Sequence, residues 1–338
     1  MYRREFRNPG GIRVKRSGAT PRTLKGLSGS LVVSAIANSY IHIGSKKYRI
    51  EYDRVELDRL ARRRFLNQYE IMRFSSKINI DYVENIVYRD IPVIPGSSLK
   101  GCIRSRLELL FHAENNVVPS CFIRSGRIPR VPIPKGLQGW RHYKVWGDII
   151  AEDRDRACDA SRAEYFKDIQ ICVVCNIFGT SGIASRICFS NLVPRDKDCL
   201  EKLSLDFGEK ILAFKKNTVF DGEITFLGLD LVELGLIFIG LNVHKDKSIL
   251  IGKSKYRDRV VNGKKEKFGR LKINIERIEF ARYSDLSLVK DVMGDIFDEE
   301  KYMVKGENVK KFISLAVEKA YEKYGKWLRD ICEVDVLG

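Results

Sequence analysis

The sequence lacks the features of a membrane-spanning or secreted chain. No apolar run approaches the ~20 residues that a transmembrane helix needs. The first residues, Met1-Tyr2-Arg3-Arg4-Glu5, contain no apolar segment of a secretion signal. Eight cysteines in 338 residues are too few for a disulfide scaffold, and we expect them to be reduced. We therefore predict a cytoplasmic protein with no membrane partner.

Two common motifs of enzymes are also missing. A Walker A loop would need a glycine five residues before Gly252, but that position is Lys247, so we exclude nucleotide binding there. None of the four histidines stands in a recognisable nucleophile motif with serine or cysteine. These histidines are His42, His112, His142 and His244.

What the chain has in excess is positive charge. It contains 61 Lys and Arg against 44 Asp and Glu, which gives a formal net charge of +17. A charge of this size on a chain that is 44% hydrophobic indicates a folded protein with a polyanionic partner, and nucleic acid is the first candidate.

The order of predicted elements is that of an α+β fold. Residues 31–36 and 271–280 favour strands, residues 98–113 and 230–241 helices, and residues 185–193 and 211–227 strands between them. Strand, helix, strand, strand, helix, strand is the ferredoxin-like (RRM-like) βαββαβ order. We predict a basic arm over 1–28, this palm over 29–280 with insertions at about 50–80 and 114–170, and a helical extension over 281–338. Within the first insertion, residues 53–74 indicate one basic helix.

Residues 91–106 are the most informative stretch. Pro95-Gly96 ends an extended segment, Ser97 or Ser98 can cap a helix, and Lys100 and Arg104 share one helix face. Free backbone N–H groups and two cations at a helix start suit a phosphate. An ordinary capped helix with a solvated basic face is the alternative.

Cys172 and Cys175 form a C-x-x-C pair, which is half of a zinc site. The nearest upstream candidates for the other two ligands are Cys158, His142 and Cys121. We predict a structural zinc that fixes the 114–170 insertion, with two small buried cysteines as the alternative.

Two further segments combine glycine with basic residues. Residues 178–186 form a Gly/Ser turn in which Arg186 could reach a phosphate or a base. Residues 253–267 form a basic loop before Phe268-Gly269-Arg270. Each alone could be a plain turn or a solvated loop.

Taken together, these motifs resemble the RAMP superfamily of CRISPR proteins, and most of all the backbone subunits of type III (Csm/Cmr) interference complexes. The resemblance covers roughly residues 29–280. It implies a ferredoxin-like palm that holds a guide RNA (crRNA) by its phosphates while target RNA pairs with the guide. It also implies as partners other RAMP subunits and the large subunit of a type III complex.

The roles that the resemblance implies fall on matching residues. The implied RNA contacts are Ser97, Ser98, Lys100, Arg104, Gly179, Thr180, Ser181, Arg186, Lys253 and Arg270. Here the loop over 256–267 is longer and more basic than the compact glycine-rich form typical of the family.

Many backbone subunits of this family cleave target RNA with a loop aspartate, and by position Asp81 matches it, with Asp90 as the second candidate. A divalent metal such as Mg²⁺ would then help to align the 2′-hydroxyl. Tyr82-Val83 follows Asp81 where the family has a Ser/Asn-Pro segment.

Three alternatives remain. The chain could be a non-cleaving RAMP subunit of the same complex, or a stand-alone RAMP endoribonuclease that processes repeat RNA with His42 as a base. A generic RNA-binding module is less favoured, because the aromatic pattern of a sheet that stacks bases is missing. The absence of a Gly-Gly-Asp-Asp run excludes the polymerase-type large subunit.

Overall fold

The computed structural model describes residues 11–24, 26–122, 135, 140–146, 154–161, 163–287 and 302–337. The fold is mixed α+β. In chain order the strands are β1 Arg13–Val14, β2 Ser17–Gly18, β3 Leu27–Ala37, β4 Gly44–Glu51, β5 Asn79–Asn85, β6 Val87–Tyr88, β7 Ile91–Pro92, β8 Val117–Val118, β9 Gln170–Ile171, β10 Ile187–Phe189, β11 Val193–Pro194, β12 Leu200–Ser204, β13 Lys210–Phe214, β14 Val219–Leu229, β15 Ile249–Leu250, β16 Arg259–Val261, β17 Lys264–Glu266, β18 Arg270–Phe280 and β19 Met303–Lys305.

The helices complete the list of elements. They are α1 Arg54–Ala61, α2 Gln68–Ser76, α3 Gly96–Leu110, α4 Trp140–Trp146, α5 Val173–Phe178, α6 Leu231–Leu241, α7 Glu307–Tyr324 and α8 Glu333–Leu337. Short 3-10 turns lie at Phe166–Asp168, Asp206–Gly208 and Val243–Lys245. Within the described residues, no helix has both the length and the hydrophobicity to cross a membrane.

The main sheet has β3 near its centre. Its strand order is β10-β14-β3-β18-β15, with β11 also paired to β14 and β19 to β18. Every pairing in it is antiparallel, and Ser34 of β3 lies opposite both Asp221 and Asn274. Because β3 has neighbours on both sides, its apolar residues Leu31 and Val33 are almost fully buried.

Three helices pack closely beside this sheet. Helix α6 contacts both α3 and α7. A Cβ on Gly235 would lie 1.9 Å from the carbonyl oxygen of Ala316 in α7, and one on Gly240 would lie 2.6 Å from Ile103 in α3. Glycine at these two positions is therefore what lets the three backbones approach. In chain order the sheet and two of its helices are β3, α3, β10, β14, α6 and β18.

A second sheet has the order β12-β13-β5-β4. Its strands come from two distant segments, since β13 pairs in parallel with β5 through Ile211 and Val83. Leu203, Ala213 and Phe268 join these two residues in a small separate core. The sequence predicts only part of this sheet, because β4 is half-exposed to exposed throughout and shows no buried face.

The first insertion departs from the single basic helix predicted for residues 53–74. It forms two helices, α1 capped by Asp53 and α2 capped by Asn67. Only Leu60 of the two helices is buried. The two capping side chains accept hydrogen bonds from the backbone of the following turn, so each helix starts independently.

The predicted basic arm over 1–28 also differs from the structure in its described part. Strand β1 pairs with β8 and β2 with β9, and the side chains of Ile12 and Val14 are buried in the main core. Strand β3 already begins at Leu27. Residues 11–18 therefore belong to the folded body, because apolar alternation anchors them.

Candidate nucleic-acid groove and cysteine cluster

Helix α3 begins in a way that requires Gly96. A Cβ at this position would lie 2.0 Å from the carbonyl oxygen of Phe189 in β10, so only glycine lets the helix start against the sheet. The backbone N–H of Gly96 donates to Asn191 Oδ1 at 3.0 Å. The N-cap residue is Pro95, not the predicted Ser97 or Ser98, which stand in the first turn instead.

One surface groove runs between the first half of α3 and the turn after β15. We call it the α3 groove, and its volume is about 400 Å³. Its lining residues are Ile43, Gly44, Ser98, Gly101, Cys102, Ser105, Ile251, Gly252, Lys253 and Lys255. The structure thus brings together Ser98 and Lys253, two of the predicted RNA contacts.

Three glycines, Gly44, Gly101 and Gly252, line the floor of the α3 groove. Gly252 has φ of 81°, and a Cβ there would lie 2.7 Å from the carbonyl oxygen of His42, so the turn excludes other residues. A Cβ on Gly101 would meet no atom within 4 Å, so this glycine is not required for packing. The absence of side chains at these positions leaves space for a ligand backbone.

The positive charge of the groove comes from two lysines. The backbone N–H of Lys253 donates to His42 O at 2.9 Å, which fixes the start of the turn. The Lys253 ammonium lies 3.0 Å from Glu209 Oε1 and is more than half exposed. Lys255 lines the groove as well. Hydroxyl groups of Ser98 and Ser105 on the facing helix can add hydrogen bonds to a phosphate.

The predicted contacts Lys100 and Arg104 lie outside this groove. Ser98, Gly101 and Ser105 share one helix face by their spacing, whereas Lys100 and Arg104 occupy the neighbouring one. Lys100 is half-buried, and burial lowers its pKa.

Arg104 makes three interactions within the protein. It bonds to Glu108 Oε1 at 3.0 Å, Gly179 O at 2.6 Å and Cys175 Sγ at 3.1 Å. These contacts occupy its guanidinium.

The prediction that Arg186 binds RNA is not supported by its position. Its side chain is 2% exposed and forms a bidentate pair with Glu233, and it also donates to Gly228 O at 2.7 Å. Removing either residue of such a buried pair leaves the other as an uncompensated charge. Arg186 therefore joins β10 to the start of α6 as a structural residue.

The Gly/Ser turn after α5 is likewise absent from the groove lining. Gly179 has φ of 81° and allows a close approach to Ile183 O, while Thr180 Oγ1 donates to Cys158 O at 2.6 Å. Ser181 lines a different surface depression beside Cys158. Arg270, also predicted as a contact, is half-buried, and its Nη2 is buried without a partner among the described residues.

Asp81 lies on strand β5 and not in a loop. Its carboxylate is mostly buried and pairs with the ammonium of Lys202. Gly44 of the groove is paired with Asn85 of β5. Asn85 comes four residues after Asp81, so Asp81 lies about 13 Å from this end of the groove along the strand. Asp90 occupies the exposed turn between β6 and β7, with φ of 62°.

His42 is buried, with 1% of its surface exposed. Its Nδ1 lies 2.8 Å from Leu212 O and therefore carries the proton, and burial lowers the pKa of the ring. Its Nε2 is buried without a partner among the described residues. A neutral, enclosed imidazole does not suit the general base of the stand-alone endoribonuclease alternative.

Four cysteines from separate segments meet in one buried group, the cysteine cluster, which comprises Cys121, Cys158, Cys172 and Cys175. Their sulfur atoms all lie within 4.8 Å of one another. Within the part of the chain that the structure describes, no other group of three or more candidate metal ligands occurs. His142, predicted from the sequence as a possible ligand, lies outside it and packs against Phe122.

The donor set of the cluster fits a zinc ion. With Zn–S bonds of about 2.3 Å, a tetrahedral site has sulfur–sulfur edges of about 3.8 Å. The distances from Cys121 Sγ to the sulfurs of Cys175 and Cys172 are 3.4 and 3.6 Å, too long for disulfides. The N–H groups of Cys172 and Cys175 donate to cluster sulfurs, and Arg104 adds a cation beside Cys175.

Sequence reasoning missed several groove residues. Gly101 and Ser105 lie in the 91–106 stretch and Lys255 lies in the 253–267 loop, but neither these residues nor Gly44 were predicted as contacts. Their common position is visible only once α3 packs against the turn at Gly252. The spacing of Ser98, Gly101 and Ser105 is the one signal that could have indicated a shared face.

Two comparisons with known proteins bear on the chain. A family model, the RAMP superfamily, matches residues 36–338. No curated protein sequence matches the chain.

Proposed function

Because the chain belongs to the RAMP superfamily of CRISPR-associated RNA-binding proteins, we propose that it is a subunit of a type III effector complex and holds crRNA by its phosphates. The observation that carries the proposal is the α3 groove, where Ser98 and Ser105 face Lys253 and Lys255 across a floor of glycines. The other RAMP subunits and the large subunit of such a complex are its proposed protein partners.

We also propose that the main sheet with α3 and α6 is a ferredoxin-like palm. The order β3, α3, β10, β14, α6, β18 supports this, as does the sheet order β10-β14-β3-β18. In this arrangement the first helix of the palm, α3, supplies one wall of the groove.

The proposal concerns binding and not cleavage. Asp81 is paired with Lys202 on a strand outside the groove, so its carboxylate is not placed to act on RNA bound there. The non-cleaving subunit is therefore the form of the function that we propose.

Replacing both groove lysines tests the binding site. We expect Lys253→Ala/Lys255→Ala to weaken binding of single-stranded RNA about tenfold, that is about 1.4 kcal/mol, and to reduce the salt slope by about two. Fluorescence anisotropy over a salt series measures both quantities. The loss should be the same for guides of different sequence, because phosphates carry no sequence information.

The matched control is Lys310→Ala/Lys319→Ala on α7, which removes the same charge outside the groove. Lys310 is exposed, and Lys319 pairs with Glu322 much as Lys253 pairs with Glu209. Equal losses in the two double variants would mean that only net charge matters, and the groove assignment would fall.

Copurified RNA and proteins test the assignment to the complex. Repeat-derived RNA together with other RAMP subunits is expected, and RNA of random origin would overturn it.

We further propose that the cysteine cluster holds one structural zinc ion, which would tie the segments of Cys121 and Cys158 to helix α5. Bound zinc would stabilise the fold by about 4 kcal/mol when present at a thousand times its dissociation constant. Elemental analysis of the purified protein should find one zinc per chain.

Three single substitutions separate the possible ligand sets. Cys121→Ser should release the zinc and lower the unfolding temperature. His142→Asn should retain zinc, and so should Cys199→Ser, which changes a buried cysteine outside the cluster. Loss of zinc in His142→Asn but not in Cys121→Ser would show that the ligand set proposed here is wrong.

A further inference from the structure

A second basic cavity lies away from the α3 groove. It has a volume of about 530 Å³, and the N-terminal segment, the turn after α3 and the end of α7 contribute to its walls. Arg13, Lys15, Glu114, Lys326 and Trp327 are among its lining residues. We call it the Trp327 pocket.

The backbone of the N-terminal segment fixes two of its cations. The N–H of Arg13 donates to Asn116 O, and that of Lys15 donates to Val118 O, both at 2.8 Å. Val14 between them is buried, so the alternation of an extended chain places Arg13 and Lys15 on the outer side together. The pocket is therefore built on ordered backbone.

Two ammonium groups converge on one indole ring. Lys15 Nζ lies 5.1 Å and Lys326 Nζ 4.1 Å from the centroid of the Trp327 ring. The two ammonium groups therefore lie within about 9 Å of each other, and like charges repel.

These charges have no partner in the described part of the chain. Arg13, Lys15 and Lys326 form no ion pair there, whereas the acidic neighbours are engaged elsewhere. Asp155 pairs with Arg16, and Glu114 pairs with Arg329.

A buried donor in the wall is also unsatisfied. Trp327 is 6% exposed, and its Nε1–H has no acceptor among the described residues. Buried N–H groups are normally bonded, so this indole N–H has capacity for an acceptor that the described residues do not supply.

We infer that the Trp327 pocket is a second phosphate-binding site of this chain, which takes a phosphate of an RNA strand outside the α3 groove. Arg13 and Lys15 precede the family match at residues 36–338, whereas Lys326 and Trp327 lie within it. The inference rests on the proposed function in that RNA is the ligand.

Geometry determines the length of RNA needed to reach both sites. The groove faces Ser98 to Ser105 of α3, while the pocket includes Glu114 beyond the end of that helix. A helix of 15 residues is about 22 Å long. From Gly101 in the groove to Leu110 at its end the helix rises about 14 Å, and the pocket lies beyond it, so a strand of several nucleotides is needed to run from the middle of the groove to the pocket.

The test is RNA binding by Lys15→Ala/Lys326→Ala, measured as affinity and salt slope beside the wild type. We expect about a tenfold loss for long RNA and a salt slope reduced by about two. The variant should fold and unfold close to the wild-type temperature, because the two lysines form no ion pair and lose only their cation–π contacts with Trp327, worth about 0.5–1 kcal/mol each at exposed sites. If it does not fold, Arg13→Ala replaces it, since that exposed side chain shares the pocket.

Parallel measurements separate this inference from the proposed function. Lys253→Ala/Lys255→Ala probes the α3 groove, and Lys310→Ala/Lys319→Ala is the charge-matched control. Wild-type affinity in the pocket variant, with a loss in the groove variant, would overturn the inference and leave the proposed function standing. A loss in the pocket variant alone would support the pocket and count against the groove.

A free nucleotide could carry the same phosphate chemistry. Titration with ATP and with inorganic pyrophosphate, followed by the unfolding temperature, distinguishes that source. We expect no stabilisation by either at concentrations at which long RNA saturates the wild type. Stabilisation by ATP that the pocket variant loses, without an effect on RNA affinity, would show a nucleotide site and overturn the assignment to RNA.

Discussion

Two glycines at the start of α3 have opposite surroundings. A Cβ on Gly96 would clash with Phe189 O at 2.0 Å, whereas a Cβ on Gly101 would meet nothing within 4 Å. The first glycine is required by the fold, and the second lies open in the groove. Addition of one methyl group, by alanine at each position, can therefore separate the effect on stability at Gly96 from the effect on RNA binding at Gly101.

We expect Gly96→Ala to lower the free energy of unfolding by at least about 2 kcal/mol, because the backbone of β10 must move. Gly101→Ala should leave stability unchanged or raise it by up to about 1 kcal/mol, since alanine favours a helix. The methyl group of Gly101→Ala should instead weaken RNA binding. Chemical denaturation and RNA titration of both variants measure these effects, and wild-type RNA affinity in Gly101→Ala would contradict the proposed ligand path.

Basic residues show where sequence reasoning fails at this scale. Arg104 suggested an RNA contact because it shares a helix face with Lys100, and Arg186 because it ends the Gly/Ser turn. In the fold they bond to Glu108, Glu233 and backbone carbonyls. Glu233 is 47 residues from Arg186 in the chain, and no local pattern announces such a partner.

At the scale of elements, the long apolar ones were predictable. Residues 230–241 and 271–280 correspond closely to α6 Leu231–Leu241 and β18 Arg270–Phe280, because burial gives them strong apolar patterns. The described part of the predicted helical extension over 281–338 contains α7 Glu307–Tyr324. Elements with little buried surface could not be predicted correctly from the sequence. They include β4 and the two short helices α1 and α2.

The cysteine cluster shows an intermediate case. Cys172 and Cys175 were recognisable by their spacing, and Cys121 was among three upstream candidates. The choice between Cys121 and His142 depended on how the insertion folds back onto α5. Spacing alone cannot decide this, because the partner lies 51 residues away.

The α1–α2 hairpin adds little to the core. Of the described residues, thirteen of the twenty exposed large hydrophobic ones lie between positions 48 and 91, so this region is poorly packed on the body. We expect replacement of residues 53–77 by a short Gly/Ser linker to shift the unfolding temperature by less than about 4 °C. Leu236→Ala, a fully buried position in α6, should cost about 2–5 kcal/mol and is the reference. Thermal unfolding compares the two, and a shift for the hairpin as large as that of Leu236→Ala would show that the hairpin is part of the core.

At the scale of the whole molecule, the net charge of +17 governs long-range attraction to RNA. Binding that releases counterions makes the logarithm of the affinity fall linearly with the logarithm of the salt concentration. We expect this slope to be the same for guides of unrelated sequence and equal length. Titrations at several salt concentrations measure it. A flat dependence, or slopes that differ between guides, would contradict recognition through phosphates.

The Lys100 prediction is tested at the same scale. Lys100→Ala should reduce the slope by about one if its ammonium contacts a phosphate. Burial partly desolvates the ammonium of this lysine and thereby lowers its pKa. A contact between this ammonium and a phosphate would be stronger than that of a fully solvated lysine.

The place of β3 in the main sheet has a consequence for synthesis of the protein. Its neighbours are β14, about 190 residues later in the chain, and β18, about 240 residues later. Strand β3 leaves the ribosome early but cannot complete its hydrogen bonds until Phe280 has been made. At about 5–20 residues per second, this strand waits for at least about 12 seconds. Long-range pairing of this kind also makes folding slow, so the nascent chain carries an unpaired strand for most of its synthesis.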